Sequence, residues 1–154
     1  MEKVYGTNER HDGIVQVGRR SWVLFYGYGE ENGTGYDYRK RFDHKPTIEE
    51  IKEAVLGAIN KDTDNKILSG LKFDGHQVWL SAENQRNYIM GLLTADTIFK
   101  GIKVKLGTDE EPVVYEIKSL TKLRDFVSAI NNHIQQCVNK AWEEKASIDW
   151  SVFA

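Results

Sequence analysis

The fold is decided by one stretch of sequence, Ile67-Leu-Ser-Gly-Leu-Lys-Phe-Asp-Gly-His-Gln-Val-Trp-Leu80, which runs directly into Ser81-Ala-Glu-Asn-Gln-Arg-Asn-Tyr88. Asp74-Gly75 separates two short apolar segments and suits the left-handed backbone of a type I′ turn, so a hairpin is predicted. Ser81 can cap a helix, and Glu83 in its first turn is favourable against the helix dipole. The stretch therefore predicts a hairpin that leads at once into a capped helix.

A similar order precedes this stretch. Trp22-Val-Leu-Phe-Tyr26 and Tyr36-Asp-Tyr-Arg-Lys-Arg-Phe42 are predicted strands, joined by a glycine-rich loop at Gly27–Gly35. Thr47-Ile-Glu-Glu50 has the form of a capping box, in which the first and last residues each satisfy a free N–H at a helix start. The polar run Asn60–Asn65 is expected to end that helix.

The third hairpin, residues 101–117, precedes the longest helix, which is predicted to run from a cap at Ser119 to about Lys145. Its apolar residues follow heptad spacing: Leu120, Leu123, Val127, Ile130, Ile134, Cys137 and Ala141. Phe126, Val138 and Trp142 widen the stripe. A wide stripe favours packing in a core, whereas heptad spacing is typical of an oligomer seam, so both interpretations stay open.

The repeated order predicts an α+β fold of three hairpin-helix units, with a mainly antiparallel sheet, helices packed on one face and a long C-terminal helix. Residues 1–13 are polar and are expected to form a flexible or partner-ordered arm, and residues 14–154 a single domain. In the second helix, Tyr88, Ile89, Leu92 and Leu93 are the expected buried face.

The composition lacks the charge excess of a nucleic-acid or lipid-binding protein. The 154 residues carry a formal net charge of −2, so neither nucleic acid nor a membrane is an expected partner. Arg39-Lys-Arg41 lies between Tyr38 and Phe42, a combination that single-stranded nucleic acid could use, but the neighbouring acidic residues favour a solvated strand face.

No pattern of catalytic, cofactor-binding or metal-ligating residues is found in the sequence. The glycines of Gly27–Gly35 fit neither phosphate-binding motif, and a strand rather than a helix follows them. The four histidines, at positions 11, 44, 76 and 133, are not at metal-ligand spacing. Cys137, on an apolar helix face, is expected to be a small buried residue rather than a nucleophile. We therefore predict a protein that is not an enzyme and needs no cofactor or metal.

Aromatic and aliphatic residues are the best candidates for function, because tyrosine and tryptophan supply large, rigid contact areas at interfaces. The hairpin that contains the glycine-rich loop and the last helix contribute these candidates. The predicted protein-contact residues are Trp22, Tyr26, Tyr28, Tyr36, Tyr38, Phe126, Ile130 and Ile134.

Several stretches of the chain resemble a domain-of-unknown-function family encoded in phages and prophages of gut anaerobes, often near tail or fibre genes. These stretches are Tyr36–Glu50, Ile67–Tyr88, Leu106–Pro112 and Ala141–Trp150. The resemblance spans residues 36–150. It implies a phage context and a role in the virion or its assembly, and it carries no catalytic residues.

The resemblance and the candidate contact residues lead to one expectation: a phage virion structural or assembly protein, associated with the tail, neck or fibre. It would be made in the host cytoplasm, form a homo-oligomer and bind other phage structural proteins. The alternative is an intracellular phage accessory factor that binds a host protein.

Overall fold

The computed structural model describes residues 1–95 and 99–154, and it has the predicted alternation of hairpins and helices. The strands are β1 (Glu2–Tyr5), β2 (Gly13–Gly18), β3 (Ser21–Glu31), β4 (Thr34–Phe42), β5 (Leu71–Phe73), β6 (His76–Val78), β7 (Ile102–Gly107) and β8 (Pro112–Ile117). The helices are α1 (Ile48–Ser69), α2 (Ala82–Leu93) and α3 (Leu120–Ala146), followed by a short 3₁₀ helix at Trp150–Phe153. The α+β class and the long C-terminal helix are confirmed.

The described strands pair antiparallel, as predicted, but they belong to three sheets. One sheet has four strands in the order β1-β4-β3-β2, and the hairpins β5–β6 and β7–β8 form two separate sheets. Alternation of apolar and polar residues identifies each hairpin, because it reflects the two faces of a strand. It does not reveal which hairpins share hydrogen bonds.

The chain divides into two compact units, where a single domain was expected for residues 14–154. Unit 1 comprises residues 1–61 and 143–154, and unit 2 comprises residues 62–142. The division falls within α1 and within α3. In α1, Ile51 and Val55 are buried in unit 1, whereas Ile67 packs against the core of unit 2. Because the boundary lies inside an uninterrupted helix, no loop or linker in the sequence marks it.

Part of the predicted flexible arm is an edge strand. Within residues 1–13, β1 pairs with β4, and Val4 and Tyr5 lie opposite Asp37 and Tyr36. The assignment of this segment to a flexible arm therefore needs correction. Four residues are too few to show a clear alternation, and their pairing depends on a strand some thirty residues away in the chain.

The glycine-rich loop of the sequence analysis is almost entirely strand. β3 runs to Glu31 and β4 begins at Thr34, so only Asn32 and Gly33 connect them. Both residues have positive φ, 52° and 76°, as a type I′ turn requires. The register shifts between Tyr26 and Gly29, which indicates a bulge there.

The start of α1 is as predicted, but its end is not. The Thr47 N–H donates to Glu50 Oε2 (2.8 Å) and the Glu50 N–H donates to Thr47 Oγ1 (3.3 Å), which confirms the capping box. The helix continues to Ser69. Its polar segment is stabilised within the helix, because Lys66 forms an i, i+4 ion pair with Asp62.

Unit 2 contains the opening stretch, and its local geometry is confirmed. Asp74 and Gly75 have φ of 48° and 79°. Ser81 caps α2 by accepting the Asn84 N–H at 3.1 Å. The core of unit 2 contains side chains from its two hairpins and from the helices α2 and α3. The buried residues are Val78, Leu80, Tyr88, Val104, Leu106, Ile117, Leu123, Phe126 and Ile130.

Candidate functional site

The predicted contact residues fall into three classes of exposure. Tyr26, Phe126 and Ile130 are buried; Trp22, Tyr36, Tyr38 and Ile134 are half-buried; Tyr28 is exposed. The first class needs correction, because a buried side chain offers no surface to a partner. Phe126 and Ile130 belong to the core of unit 2, and Ile134 packs against it. From Leu120 to Ile134 the stripe of α3 is therefore a core stripe, whereas Trp142, further along the same helix, is 63% exposed.

Tyr26 has a structural role inside unit 1. Its hydroxyl donates to Glu144 Oε1 (2.9 Å), and the Arg10 guanidinium lies 5.3 Å from its ring centroid. Burial, followed by the hydrogen bond to Glu144, raises the pKa of Tyr26. The phenol therefore stays protonated and acts as a fixed donor between β3 and the end of α3.

A polar cleft lies beside this contact. Its volume is about 350 Å³, and its lining residues are Arg10, Asp12, Ser147, Ile148, Asp149 and Val152. Asp12 accepts two hydrogen bonds from Arg10 (3.0 and 2.8 Å) and one from the Gly27 N–H (2.8 Å) at the bulge. Asp149 accepts the Ser151 N–H at 3.0 Å. These charged groups are engaged in holding loops and helix ends.

Tyr36 is partly covered by β1. The two rings of Tyr5 and Tyr36 meet edge to face at 5.8 Å, and Lys3 Nζ lies 4.1 Å from the centroid of Tyr36. Tyr5 remains half exposed and its hydroxyl bonds to Glu31. The aromatic side chain that this edge offers to solvent is thus Tyr5, which the sequence analysis left in the flexible arm.

Cys137 and His133 lie close together on α3, but their geometry does not make a nucleophile and base. The Cys137 Sγ is 3.9 Å from His133 Nε2, and the same nitrogen is 2.9 Å from the carbonyl oxygen of Lys66. A carbonyl only accepts, so Nε2 carries the proton and donates it. That nitrogen cannot at the same time accept the thiol proton.

A cluster of three polar side chains, Asp74, Tyr115 and Lys122, joins the two hairpins of unit 2 to α3. Asp74, in the β5–β6 turn, bonds to the Tyr115 hydroxyl and forms an ion pair with Lys122 Nζ at 2.8 Å. The hydrogen bond from Lys122, followed by that from Tyr115, lowers the pKa of Asp74. The carboxylate stays ionised and fixes the turn, which is a structural use of these groups.

An exposed apolar stripe on α2 was not predicted from the sequence. Ile89 is 47% exposed, Met90 54% and Leu93 72%. Tyr88 instead faces the core, where its hydroxyl donates to the carbonyl of Lys105 (2.9 Å), and Leu92 packs against the same core. The expected burial of Ile89 and Leu93 is therefore wrong.

A signal for this stripe is present in the sequence. Five of the six residues from Tyr88 to Leu93 are large and apolar, with only Gly91 between them. Such a run covers every side of a helix, whereas one core contacts only one side. Some of these side chains must therefore face away from the core.

Within residues 1–95 and 99–154, no group of three or more histidine, cysteine, aspartate or glutamate side chains is arranged to hold a metal ion. In that part of the chain, no helix combines the length and the apolar character needed to cross a membrane.

Comparison with known proteins finds one family. Neither a curated protein nor a solved structure matches the chain. A family model described as "Domain of unknown function (DUF4376)" matches residues 50–152, which is more than half of the 154 residues. The match covers α1 almost entirely and all of unit 2. The predicted membership of a domain-of-unknown-function family is confirmed, and the chain belongs to the DUF4376 family.

Proposed function

We propose that the chain is a non-enzymatic phage structural or assembly protein that acts through protein–protein contacts, in association with the tail, neck or fibre. It is made in the host cytoplasm and carried in the virion. It forms a homo-oligomer and binds other phage structural proteins. The phage context of this proposal comes from the resemblance of residues 36–150.

The observation that carries the contact role is the exposed stripe Ile89, Met90 and Leu93. Spacings of three and four residues place Leu93 beside both Met90 and Ile89 on the surface of α2. Large exposed apolar patches often mark interaction sites, and methionine is enriched at protein interfaces. Water contact with this stripe is unfavourable, so a partner that covers it gains free energy from the burial.

The non-enzymatic part of the proposal has its own support. The reactive side chains that the fold brings together are held in structural contacts: Tyr26 with Glu144, His133 with the Lys66 carbonyl, and Asp74 with Lys122. Each of these bonds joins two separate elements, so its loss affects the fold directly. A net charge of −2 favours protein rather than nucleic acid or an anionic membrane as the partner.

The experiment is mass spectrometry of purified virions, combined with the solution mass of the isolated protein. We expect the protein to be a stoichiometric virion component and to self-associate at high concentration. Leu93→Lys places a charge in the stripe and should abolish incorporation or association. Val114→Lys is the matched control, because Val114 is as exposed as Leu93 (74% against 72%) but lies on β8.

A monomer at high concentration that is also absent from virions refutes the proposal. Recovery of one stoichiometric host protein from a lysate, without any phage structural protein, would instead support the accessory-factor alternative. In that case Leu93→Lys identifies whether the same stripe binds the host protein.

A further inference from the structure

The arginines in the four-stranded sheet and in the segments that join its strands fall into two groups. Arg10 and Arg39 each form ion pairs, with Asp12 at 2.8 Å and with Asp37 at 2.7 Å. Arg19, Arg20 and Arg41 are exposed, and among residues 1–95 and 99–154 no carboxylate lies within ion-pair distance of any of them. Exposed guanidinium groups without a carboxylate partner remain available to an outside anion.

Arg20 and Arg41 line the same depression on the surface. The depression is open, has a volume of about 590 Å³ and is lined by Arg20, Ser21, Arg41, Phe42 and Asp43. Arg41 lies opposite Val23 in the β3–β4 register, and Ser21 is two residues before Val23. Alternation along β3 therefore places Ser21 on the same sheet face as Arg41.

The chemistry of this depression suits a carboxylate. Each guanidinium can donate two parallel hydrogen bonds to one carboxylate, and the Ser21 hydroxyl can donate another. Asp43 is the one acidic group in the lining, and its Oδ1 already lies 2.7 Å from His44 Nδ1. Two cations thus face one carboxylate that has its own partner, and the depression keeps a net positive charge.

The aromatic residues nearby argue against single-stranded nucleic acid. Base stacking requires an accessible ring face. Phe42 is only 8% exposed, and Lys45 Nζ lies over the Trp22 ring, 5.8 Å from its centroid. An acidic polypeptide needs hydrogen-bond donors and positive charge, which Arg20, Ser21 and Arg41 provide.

We infer that the depression between Arg20 and Arg41 is a binding site for the side-chain carboxylates of an acidic segment in a partner protein. This inference rests on the proposed function, because it specifies the chemistry of one protein partner. It concerns the four-stranded sheet of unit 1, whereas the α2 stripe belongs to unit 2.

The test measures binding of a fluorescein-labelled hexaglutamate peptide to the full chain by fluorescence anisotropy in low salt. We expect saturable binding that Arg20→Gln/Arg41→Gln weakens about tenfold or more, because charge-assisted hydrogen bonds are lost. Arg20→Lys/Arg41→Lys keeps the charge but loses the planar fork, and it should weaken binding less. Circular dichroism checks that each variant is folded.

The matched control is Arg86→Gln/Arg124→Gln, which removes the same total charge from two exposed arginines on α2 and α3. We expect it to change the affinity less than about twofold, apart from the long-range effect of net charge. Equal weakening by both double variants would show general charge attraction and overturn the inference.

Two other outcomes also overturn it: absence of peptide binding, and tighter binding of an oligothymidylate of ten nucleotides that the Arg20→Gln/Arg41→Gln variant abolishes. The proposed function is judged separately. If the peptide does not bind but Leu93→Lys still abolishes virion incorporation, the acidic-segment site is refuted and the structural role stands.

Discussion

The helices α2 and α3 begin with the same type of cap, but they differ in how much of their apolar surface is buried. Each start has a serine whose hydroxyl accepts the N–H three residues later at 3.1 Å, Asn84 for Ser81 and Lys122 for Ser119. From Leu120 to Ile134 the stripe of α3 packs in the core of unit 2, although Trp142 near its end is exposed, whereas much of the apolar surface of α2 is exposed. Apolar side chains therefore pack in the core from α3, whereas several of those on α2 are exposed to solvent.

The difference follows from how the apolar residues are distributed along each helix. In α3 they recur at three- and four-residue spacing, so one face collects them and polar residues occupy the other. In α2 they are consecutive from Tyr88 to Met90 and again at Leu92 and Leu93. One core can cover only part of such a helix, and the rest stays in solvent unless a partner covers it.

The largest effect is expected for Phe126→Ala in α3. Phe126 is fully buried, and its ring meets those of Phe73 and Tyr88 at centroid distances of 4.9 and 5.0 Å. Removal of the ring leaves a cavity, and the free energy of unfolding should fall by about 3 to 5 kcal/mol. Urea denaturation measures it. A change below about 1 kcal/mol would mean that α3 is not a core helix and would reopen the oligomer-seam interpretation.

The two serine caps should contribute equally. Ser81→Ala and Ser119→Ala each remove one acceptor from a free N–H, and each should cost about 1 kcal/mol in urea denaturation. Ser81→Gly and Ser119→Gly are the controls, because glycine is tolerated at this position and should cost only a few tenths. Clearly unequal costs for the two alanine variants would contradict the similarity of the two helix starts.

These starts also illustrate what the sequence can predict. Thr47, Ser81, Ser119 and the Asp74-Gly75 turn are local features, since the bonding partners lie within three residues or within one turn. Their geometry is as predicted. The Asn32-Gly33 turn is equally local and could have been predicted from the asparagine-glycine pair.

The errors concern features that depend on distant residues. β1 needs β4 as its partner, and the boundary within α1 depends on which core each side chain enters. The run from Tyr88 to Leu93 indicates that some side chains of α2 are exposed, but which of them are exposed depends on where the hairpins of unit 2 lie. The Arg20–Arg41 depression is formed where the β2–β3 turn and the start of β3 meet the end of β4, so the sequence shows only two separate arginines. Long-range packing decides each of these, and local patterns do not encode it.

A smaller effect is expected for Leu93→Ala in α2. Because this side chain is mostly in water already, the substitution should change the free energy of unfolding by about 0.5 kcal/mol or less. The matched substitution is Leu123→Ala in α3, where a buried leucine should cost about 2 to 5 kcal/mol. Similar costs for the two leucines would show that the α2 stripe is packed within the folded chain and would remove it as a contact surface.

The smallest effect concerns the start of α1, which differs from the other two in having a histidine bridged by two carboxylates. His44 Nδ1 lies 2.7 Å from Asp43 Oδ1 and Nε2 lies 3.0 Å from Glu50 Oε1. The hydrogen bond with Asp43, followed by that with Glu50, raises the pKa of His44. The protonated form thus favours the folded state. Its contribution is complete below the unfolded pKa of about 6.5 and is lost as the pH rises through the higher folded value.

We therefore expect His44→Gln to flatten the decline in the urea midpoint between pH 6 and 8.5 and to leave the steepness of the unfolding transition unchanged. Asp43→Asn removes the largest cause of the raised pKa and should reproduce much of that flattening. Asp43 and Glu50 have lowered pKa values, so their own contributions are lost at the opposite end, as the pH falls through those values. Because these groups are exposed, solvent and salt screen the contacts, and the slope should shrink further in 0.5 M NaCl. A slope that persists in both variants would place its origin outside the start of α1.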